Sequence, residues 1–233
     1  GPIKVSDPGY VAKGSKLYIE AMQNLGLPYN DDFNDGDQYG VGLMQYTIGD
    51  LKRSDTVSTL IEPLINNKNI TIHLNSIVTK VIIENKKAVG VEVVNKGKVE
   101  NFYGKEIILT AGSLVSPKIL MHSGIGDEIQ LNKYGIKVIQ KLPGVGKNLQ
   151  DHHEVPFISR AKQGYGYFKQ DKGLRKIKNG IQYLLFKSGP VASTGVDCCS
   201  FLNPENILDK NNPTVKLYCV QIMYTDRDTK GID

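Results

Sequence analysis

The chain has 233 residues, 40% of them apolar and 23% charged, which is the balance of a globular protein long enough for one or two cores. Its 29 Lys and Arg against 24 Asp and Glu give a formal net charge of +5. No apolar run approaches the roughly 20 residues of a membrane span, and three cysteines, two of them adjacent, exclude a disulfide framework.

The cysteines are Cys198, Cys199 and Cys219. An adjacent pair bridges poorly, so a reducing, cytoplasmic setting is expected. No His stands at ligand spacing from them, and no metal site is expected.

In chain order, residues 3–6 read as a short strand ended by Asp7-Pro8. A helix follows from Ser15, with Leu17, Ala21 and Leu25 along one face and Gly26 and Pro28 as its stop. Residues 30–42, rich in Gly, Asp and Asn, read as a loop. A second helix is expected from Ser54, on the stripe Val57, Leu60, Ile61, Leu64 and Ile65. From Ile70 the period switches to two. Segments 71–74, 78–84, 88–94 and 98–103 read as strands of a β-meander, with turns at 85–87 and 95–97.

An apolar run at 107–110 then reads as a strand that enters a helix through a small-residue turn. Ser116 fits as the N-cap of that helix, Pro117 as its first residue and Ser123-Gly124 as its stop. A strand turning into a helix through Ala-Gly-Ser brings backbone N–H groups close to a ligand, and the start of a helix favours negative charge. Further on come a rigid turn at 142–146, a strand at 155–159, a basic helix, and strands near 199–202 and 215–223. The order fits an α/β or mixed α+β layer architecture.

Much of the positive charge lies in residues 160–187, where eight Lys and Arg face only Asp171. A nucleic-acid surface is one reading of such a run. The other is a solvated helix face. Leu174, Ile177, Ile181, Leu184 and Leu185 recur at helical spacing and would face a core, which turns Lys172, Arg175, Lys176 and Lys178 outward. The second reading is preferred, and no nucleic-acid partner is expected.

The string at residues 112–126, G-S-L-V-S-P-K-I-L-M-H-S-G-I-G, resembles the second signature of the glucose–methanol–choline (GMC) oxidoreductases. Other family-like strings flank it in order: G-P-I-K-V-S-D-P at 1–8, N-D-D-F-N at 30–34, A-V-G-V-E at 88–92, L-P-G-V-G-K-N-L-Q-D-H at 142–152 and S-G-P at 188–190. The likeness covers essentially the whole chain and is nearest to choline-dehydrogenase-like members. It implies FAD as cofactor and an alcohol as substrate. It also implies the central piece of an FAD domain, residues 46–134, interleaved with two segments of a substrate domain of β-sheet and helices, residues 1–45 and 135–233. The pyrophosphate loop and the segment bearing the catalytic His are expected to lie outside these residues, since His73, His122, His152 and His153 do not fit the His motif.

Position by position, the resemblance assigns Val78 a backbone contact to the FAD adenine, where the residues alone indicate a plain strand valine. Thr110, Ala111 and Gly112 match the turn beside the adenosine, and small residues there permit close backbone approach. Asn148, Leu149, Asp151 and His152 match an Asn-Leu-x-Asp-His motif, and a structural role in the loop between domains is the alternative to a catalytic one. A metal site at Asp151-His-His-Glu is not expected, because the run lacks the helical spacing of H-E-x-x-H. Glu154 matches a carboxylate that faces the quaternary ammonium of choline, and an exposed loop Glu is the alternative. Tyr218 matches a pocket position that is often His, and could offer a cation its π face or be a core strand tyrosine. One departure stands out: where the family carries Gly-x-Arg-x-Ser, residues 51–54 read Leu-Lys-Arg-Ser, with Leu51 in place of the glycine.

The function these assignments imply is hydride transfer from an alcohol CH–OH to flavin in the full-length protein, with this chain alone inactive. The alternatives are a truncated relative acting as a scaffold, or a GMC-fold lyase that holds FAD without redox turnover.

Overall fold

The structure is a computed structural model that describes residues 1–159, 161–162, 164–222, 224–225 and 230–231. Helices and sheets are mixed along the chain. In order they are α1 (Lys13–Asn24), β1 (Gly40–Leu43), β2 (Ile48–Gly49), β3 (Lys52–Arg53), β4 (Ser76–Glu84), β5 (Lys87–Asn95) and β6 (Lys98–Tyr103). Then come α2 (Gly112–His122), β7 (Ile125–Gly126), α3 (Glu128–Lys133), β8 (Gln140–Lys141), α4 (Gly173–Phe186), β9 (Val196–Leu202) and β10 (Val215–Val220), and last a short pair, β11 (Tyr224–Thr225) and β12 (Lys230–Gly231). The chain divides into two compact units, Gly1–Asn67 with Pro156–Asp233, and Lys68–Val155.

The first unit is built on an antiparallel sheet of order β1-β9-β10. Leu27, Val41 and Leu202 form its apolar core, with Tyr18, Ile19, Met22 and Ile207 packed against them. The helix α1 forms within two residues of the expected start, but it buries a different face. Ser15 is fully buried and Leu17 and Leu25 are exposed. The reason is polar anchoring: the Ser15 hydroxyl donates to Asp197 at 2.9 Å, and the Tyr18 hydroxyl pairs with Ser200 at 2.6 Å. Of the expected loop at 30–42, residues 30–39 form it through successive Asx turns at Asn30, Asp32, Asp35 and Asp37, while 40–42 pair with β9 as the start of β1. The expected strand at 3–6 is reduced to a single bridge between Ser6 and Tyr46.

No regular α-helix forms after Ser54. Residues Val57–Ile61 make a π-helical turn and Glu62–Leu64 a 3-10 turn. Pro63 explains this, since a proline inside an α-helix removes a hydrogen bond and clashes with the preceding turn. Asp55, not Ser54, caps the segment by accepting the amides of Val57 and Ser58. Those amides hold the Asp55 carboxyl below its usual range, that of Ser58 most strongly. Helix α4 forms, but Leu174, Ile177, Ile181, Leu184 and Leu185, expected to face a core, are all exposed. The lysines and arginine of the basic run that lie on or next to α4 are exposed too. Arg160, at its start, lies outside the described residues, as does Met223, where the last strand was expected to end.

In the second unit the last three of the four expected meander strands form close to their expected bounds. The meander β4-β5-β6 is antiparallel throughout. Its two hairpins turn at Asn85-Lys86 and Lys96-Gly97, all with positive φ, which is the backbone of a type I′ turn and matches the twist of the flanking strands. Segments 71–74, 107–110 and 155–159 form no strand. No described strand runs beside them to complete a ladder; Ile108 is 75% exposed and Phe157 94%. Helix α2 begins at Gly112, four residues before the expected cap, so Pro117 falls inside it. The carbonyl this proline leaves without a helical donor belongs to Ser113, an exposed residue, so water can satisfy it. Buried Ser123 ties the helix to the meander. Its hydroxyl donates to Ile119 O at 2.6 Å and accepts the Val81 amide at 2.7 Å. Gly124 follows at φ +81, where a Cβ would stand 2.4 Å from the Lys137 carbonyl, so only glycine fits this turn into β7.

Candidate functional site

Thr110, Ala111 and Gly112 form the entry to α2, and all three are exposed. Ala111 occupies the N-cap and offers no side-chain acceptor to the first turn. Gly112 adopts φ +84, and a Cβ built on it would meet nothing within 4 Å. Among the described residues no side chain caps the first N–H groups of the helix, and residues 111–115 are exposed, which leaves a ready site for an electronegative group. Val78 lies in the same unit, half-buried on β4 opposite Val93, directly before a bulge between Val78 and Lys80. Beside the bulge, the Thr79 hydroxyl donates to Glu92 at 2.7 Å and Lys80 pairs with Glu92 at 2.9 Å. These partners hold the Glu92 carboxyl below its ordinary range, Lys80 most strongly.

Glu154 is an exposed coil residue of the second unit. The neighbouring Asp151 carboxylate accepts the amide of His152 at 2.8 Å, a local bond within the same loop. Tyr218 belongs to the first unit, on β10 opposite Cys199, and is 47% exposed. Its surroundings hold a group that sequence reasoning did not reveal. The Lys216 ammonium stands 4.5 Å from the centroid of the Tyr218 ring and 4.8 Å from that of Phe201. Lys216 and Tyr218 are two residues apart on one strand, and Phe201 faces Lys216 across the ladder, so all three share one face of the sheet. Phe201 packs in turn on Phe33 at 5.3 Å.

The opposite face carries a buried polar network, also not foreseen. Asp197 is fully buried and accepts the Ala12 amide at 2.8 Å, together with the hydroxyls of Ser15, Tyr167 and Ser193. Burial pushes the Tyr18 hydroxyl up to about 12 and holds Tyr167 protonated as well. The signal for the network was a lone acid inside the apolar strand V-D-C-C-S-F-L, because a buried carboxylate needs donors. A cleft of about 620 Å³ elsewhere in the first unit, lined by residues such as Lys4, Asp50, Leu51 and Ser193, contains none of the candidate cofactor or substrate residues Val78, Thr110, Ala111, Gly112, Glu154 and Tyr218. At its rim Leu51 takes φ +62, a left-handed conformation that favours the glycine of the family pattern. Lys4 pairs with Asp50 at 2.7 Å and holds that carboxyl below its ordinary range. Among the described residues, no group of three or more His, Cys, Asp or Glu is placed to hold a metal ion, and no helix is long and apolar enough to cross a membrane.

The sequence profile of the GMC oxidoreductases matches residues 1–154. The chain belongs to the GMC oxidoreductase family. Human mitochondrial choline dehydrogenase is 34% identical over 206 residues, which are 88% of this chain and 35% of that protein. The oxygen-dependent choline dehydrogenase of Rhizobium etli is 36% identical over 203 residues, 87% of this chain and 37% of the relative. Among solved structures, a formate oxidase from Aspergillus oryzae, studied for modification of its FAD, superposes with a TM-score of 0.82 at 27% identity, covering 99% of this chain and 45% of that one. An FAD-dependent oxidoreductase from Chaetomium thermophilum gives 0.76 at 28% identity, covering 87% and 37%. The chain thus spans about a third of the length of the curated relatives it matches, 35% and 37% for these two. The GMC signature at 112–126 spans α2, its glycine stop and β7. Its Ser-Gly-Ile-Gly end is accounted for by the Ser123 bridge and the close packing at Gly124.

Proposed function

We propose that this chain forms the central part of an FAD-dependent oxidoreductase acting on the CH–OH group of a small alcohol, choline-like or another primary alcohol. The observation that carries the reading is the open start of α2, where Thr110, Ala111 and Gly112 leave a helix N-terminus uncapped and sterically clear. Small side chains and free space at this turn fit close approach by the adenosine side of FAD, and the uncapped N–H groups are donors for its oxygens and ring nitrogens. Bound there, FAD would supply the acceptor for the hydride leaving the alcohol carbon. Thr110, Ala111 and Gly112, with the backbone of Val78, would hold the nucleotide end of the cofactor. Glu154 would oppose a positive charge on the substrate, and Tyr218 would contact the substrate through its ring or hydroxyl. In this reading residues 46–134 serve the FAD domain, residues 1–45 and 135–233 serve the substrate domain, and an odd count of three cysteines, two of them adjacent, fits a reducing, cytoplasmic setting.

A second reading of the substrate rests on Lys216. A quaternary ammonium approaching the Tyr218 ring would meet a resident cation 4.5 Å from that ring. Like charges at such range repel, the more so in a site closed to water. This favours a neutral or anionic alcohol over choline.

The cofactor assignment is tested by Ala111→Leu in the full-length protein. Ala111 has φ −82, which leucine tolerates, so the variant adds bulk at the turn with little backbone strain. The expected result is a several-fold fall in bound flavin per chain with an unchanged circular dichroism spectrum. Full flavin occupancy would remove α2 from the cofactor site.

A further inference from the structure

We propose that Cys198 and Cys219 form a peroxide-responsive dithiol that closes to an intramolecular disulfide across β9 and β10. The two residues are direct partners in the antiparallel register of these strands. Residues so paired have Cα atoms about 4.5–5.5 Å apart, inside the span of about 4.4–6.8 Å that a disulfide bridges. Both thiols are free, and they face each other across the ladder. Cys199 is excluded as a partner by the pleat. It follows Cys198 directly, so its side chain points to the other face of the sheet, and it stands opposite Gly42 and Tyr218. The register shifts directly beyond this pair, where Val220 stands opposite Val196, so Asp197 is the extra residue of a bulge on β9 next to Cys198.

The surroundings divide the labour between the two sulfurs. Cys198 is fully buried, and its thiol reaches the Ser15 carbonyl at 3.6 Å. Cys219 is half-buried, and its sulfur accepts the Gln221 side-chain amide at 2.9 Å. Hydrogen bonding from Cys198, and then from Gln221, favours the Cys219 thiolate against the opposing effect of burial. The same Cys198–Cys219 contact, reinforced by burial, keeps Cys198 protonated. Cys199 has no such donor, and burial pushes its thiol up to about 11. The reachable sulfur is therefore also the more nucleophilic one. In the step proposed, the Cys219 thiolate attacks one oxygen of hydrogen peroxide. The O–O bond breaks, hydroxide leaves and takes up the proton that Cys219 released on ionising, and water and a sulfenic acid at Cys219 form. The Cys198 sulfur then displaces the sulfenic oxygen, which leaves as a second water. Two thiols are oxidised to one disulfide, and one peroxide is reduced to two waters.

The test uses the chain titrated with hydrogen peroxide and assayed under denaturing conditions. Three titratable thiols should fall to one, with a matching mass loss of two hydrogens per chain, and dithiothreitol should restore all three. Trypsin leaves Cys198 and Cys199 on one peptide, so variants assign the bridge. Cys199→Ser should still form the cross-link to the peptide of Cys219, whereas Cys198→Ser and Cys219→Ser should not. Three remaining thiols, a bridge that persists in Cys198→Ser, disulfides only between chains, or sulfinic acid in place of the cross-link would each overturn the proposal. Since Cys198 is buried and its serine variant could misfold, the Cys199→Ser and Cys219→Ser results decide independently of it.

Discussion

Replacing Ser123 by alanine should unfasten the signature helix from the meander. The Ser123 hydroxyl lies 2.7 Å from the Val81 amide and 2.6 Å from the Ile119 carbonyl, and Ser123 and Val81 are only 4% and 6% exposed. The Ile119 carbonyl keeps a second donor, the Ser123 amide at 3.0 Å, so the helix end survives the change. The Val81 N–H instead faces a methyl group. A hydrogen bond contributes a net ~1 kcal/mol, and an orphaned buried donor costs ~1–3 kcal/mol. The variant should therefore destabilise the second unit by about 2 kcal/mol, which is about a 30-fold change in an opening equilibrium. Amide hydrogen exchange reads this directly. Exchange at Val81 and along β4 should speed by an order of magnitude or more, while β9 in the other unit should keep its protection. Unchanged protection at Val81 would show that Ser123 does not bridge helix and strand, and the structural account of the Ser-Gly-Ile-Gly motif would fail with it.

Two further outcomes concern substrate charge in the full-length protein. Glu154→Gln should raise KM for a quaternary-ammonium alcohol by an order of magnitude or more and leave a neutral alcohol nearly unchanged, as expected when a carboxylate facing a cation is removed; equal small changes for both would return Glu154 to the role of an exposed loop residue. Lys216→Gln should raise kcat/KM for the quaternary-ammonium alcohol several-fold and lower it for an anionic one, and identical ratios for the two substrates in variant and parent would place Lys216 outside the pocket.

The meander was the most legible part of the chain because its information is local. Period-two strands meet at two-residue turns of Asn, Lys and Gly, and those turns take positive φ as the residue types imply. The helix α1 was legible in its bounds but not in its face, because apolar periodicity gives no weight to Ser15 and Tyr18, whose hydroxyls tie the helix to β9. The expected helix after Ser54 overlooked Pro63, where backbone chemistry overrides a good apolar stripe. The run at 107–110 has the composition of a strand, but a strand exists only where another runs beside it. In the candidate site, the small turn at 110–112 could be read as a string because it depends on consecutive residues. The Lys216–Tyr218–Phe201 stack and the Cys198–Cys219 pair could not. They arise from the register of β9 against β10, which the linear sequence does not print.

The central claim, that this chain belongs to a working FAD-dependent alcohol oxidoreductase, is tested most directly by anaerobic mixing of the purified full-length protein with a panel of quaternary-ammonium, neutral and anionic alcohols while the flavin absorbance is followed. The account predicts that FAD co-purifies with the protein and that at least one alcohol bleaches the oxidised-flavin band to completion, with formation of the matching carbonyl product. Bound flavin that stays oxidised with every alcohol, or protein that carries no flavin and takes up none, would contradict it.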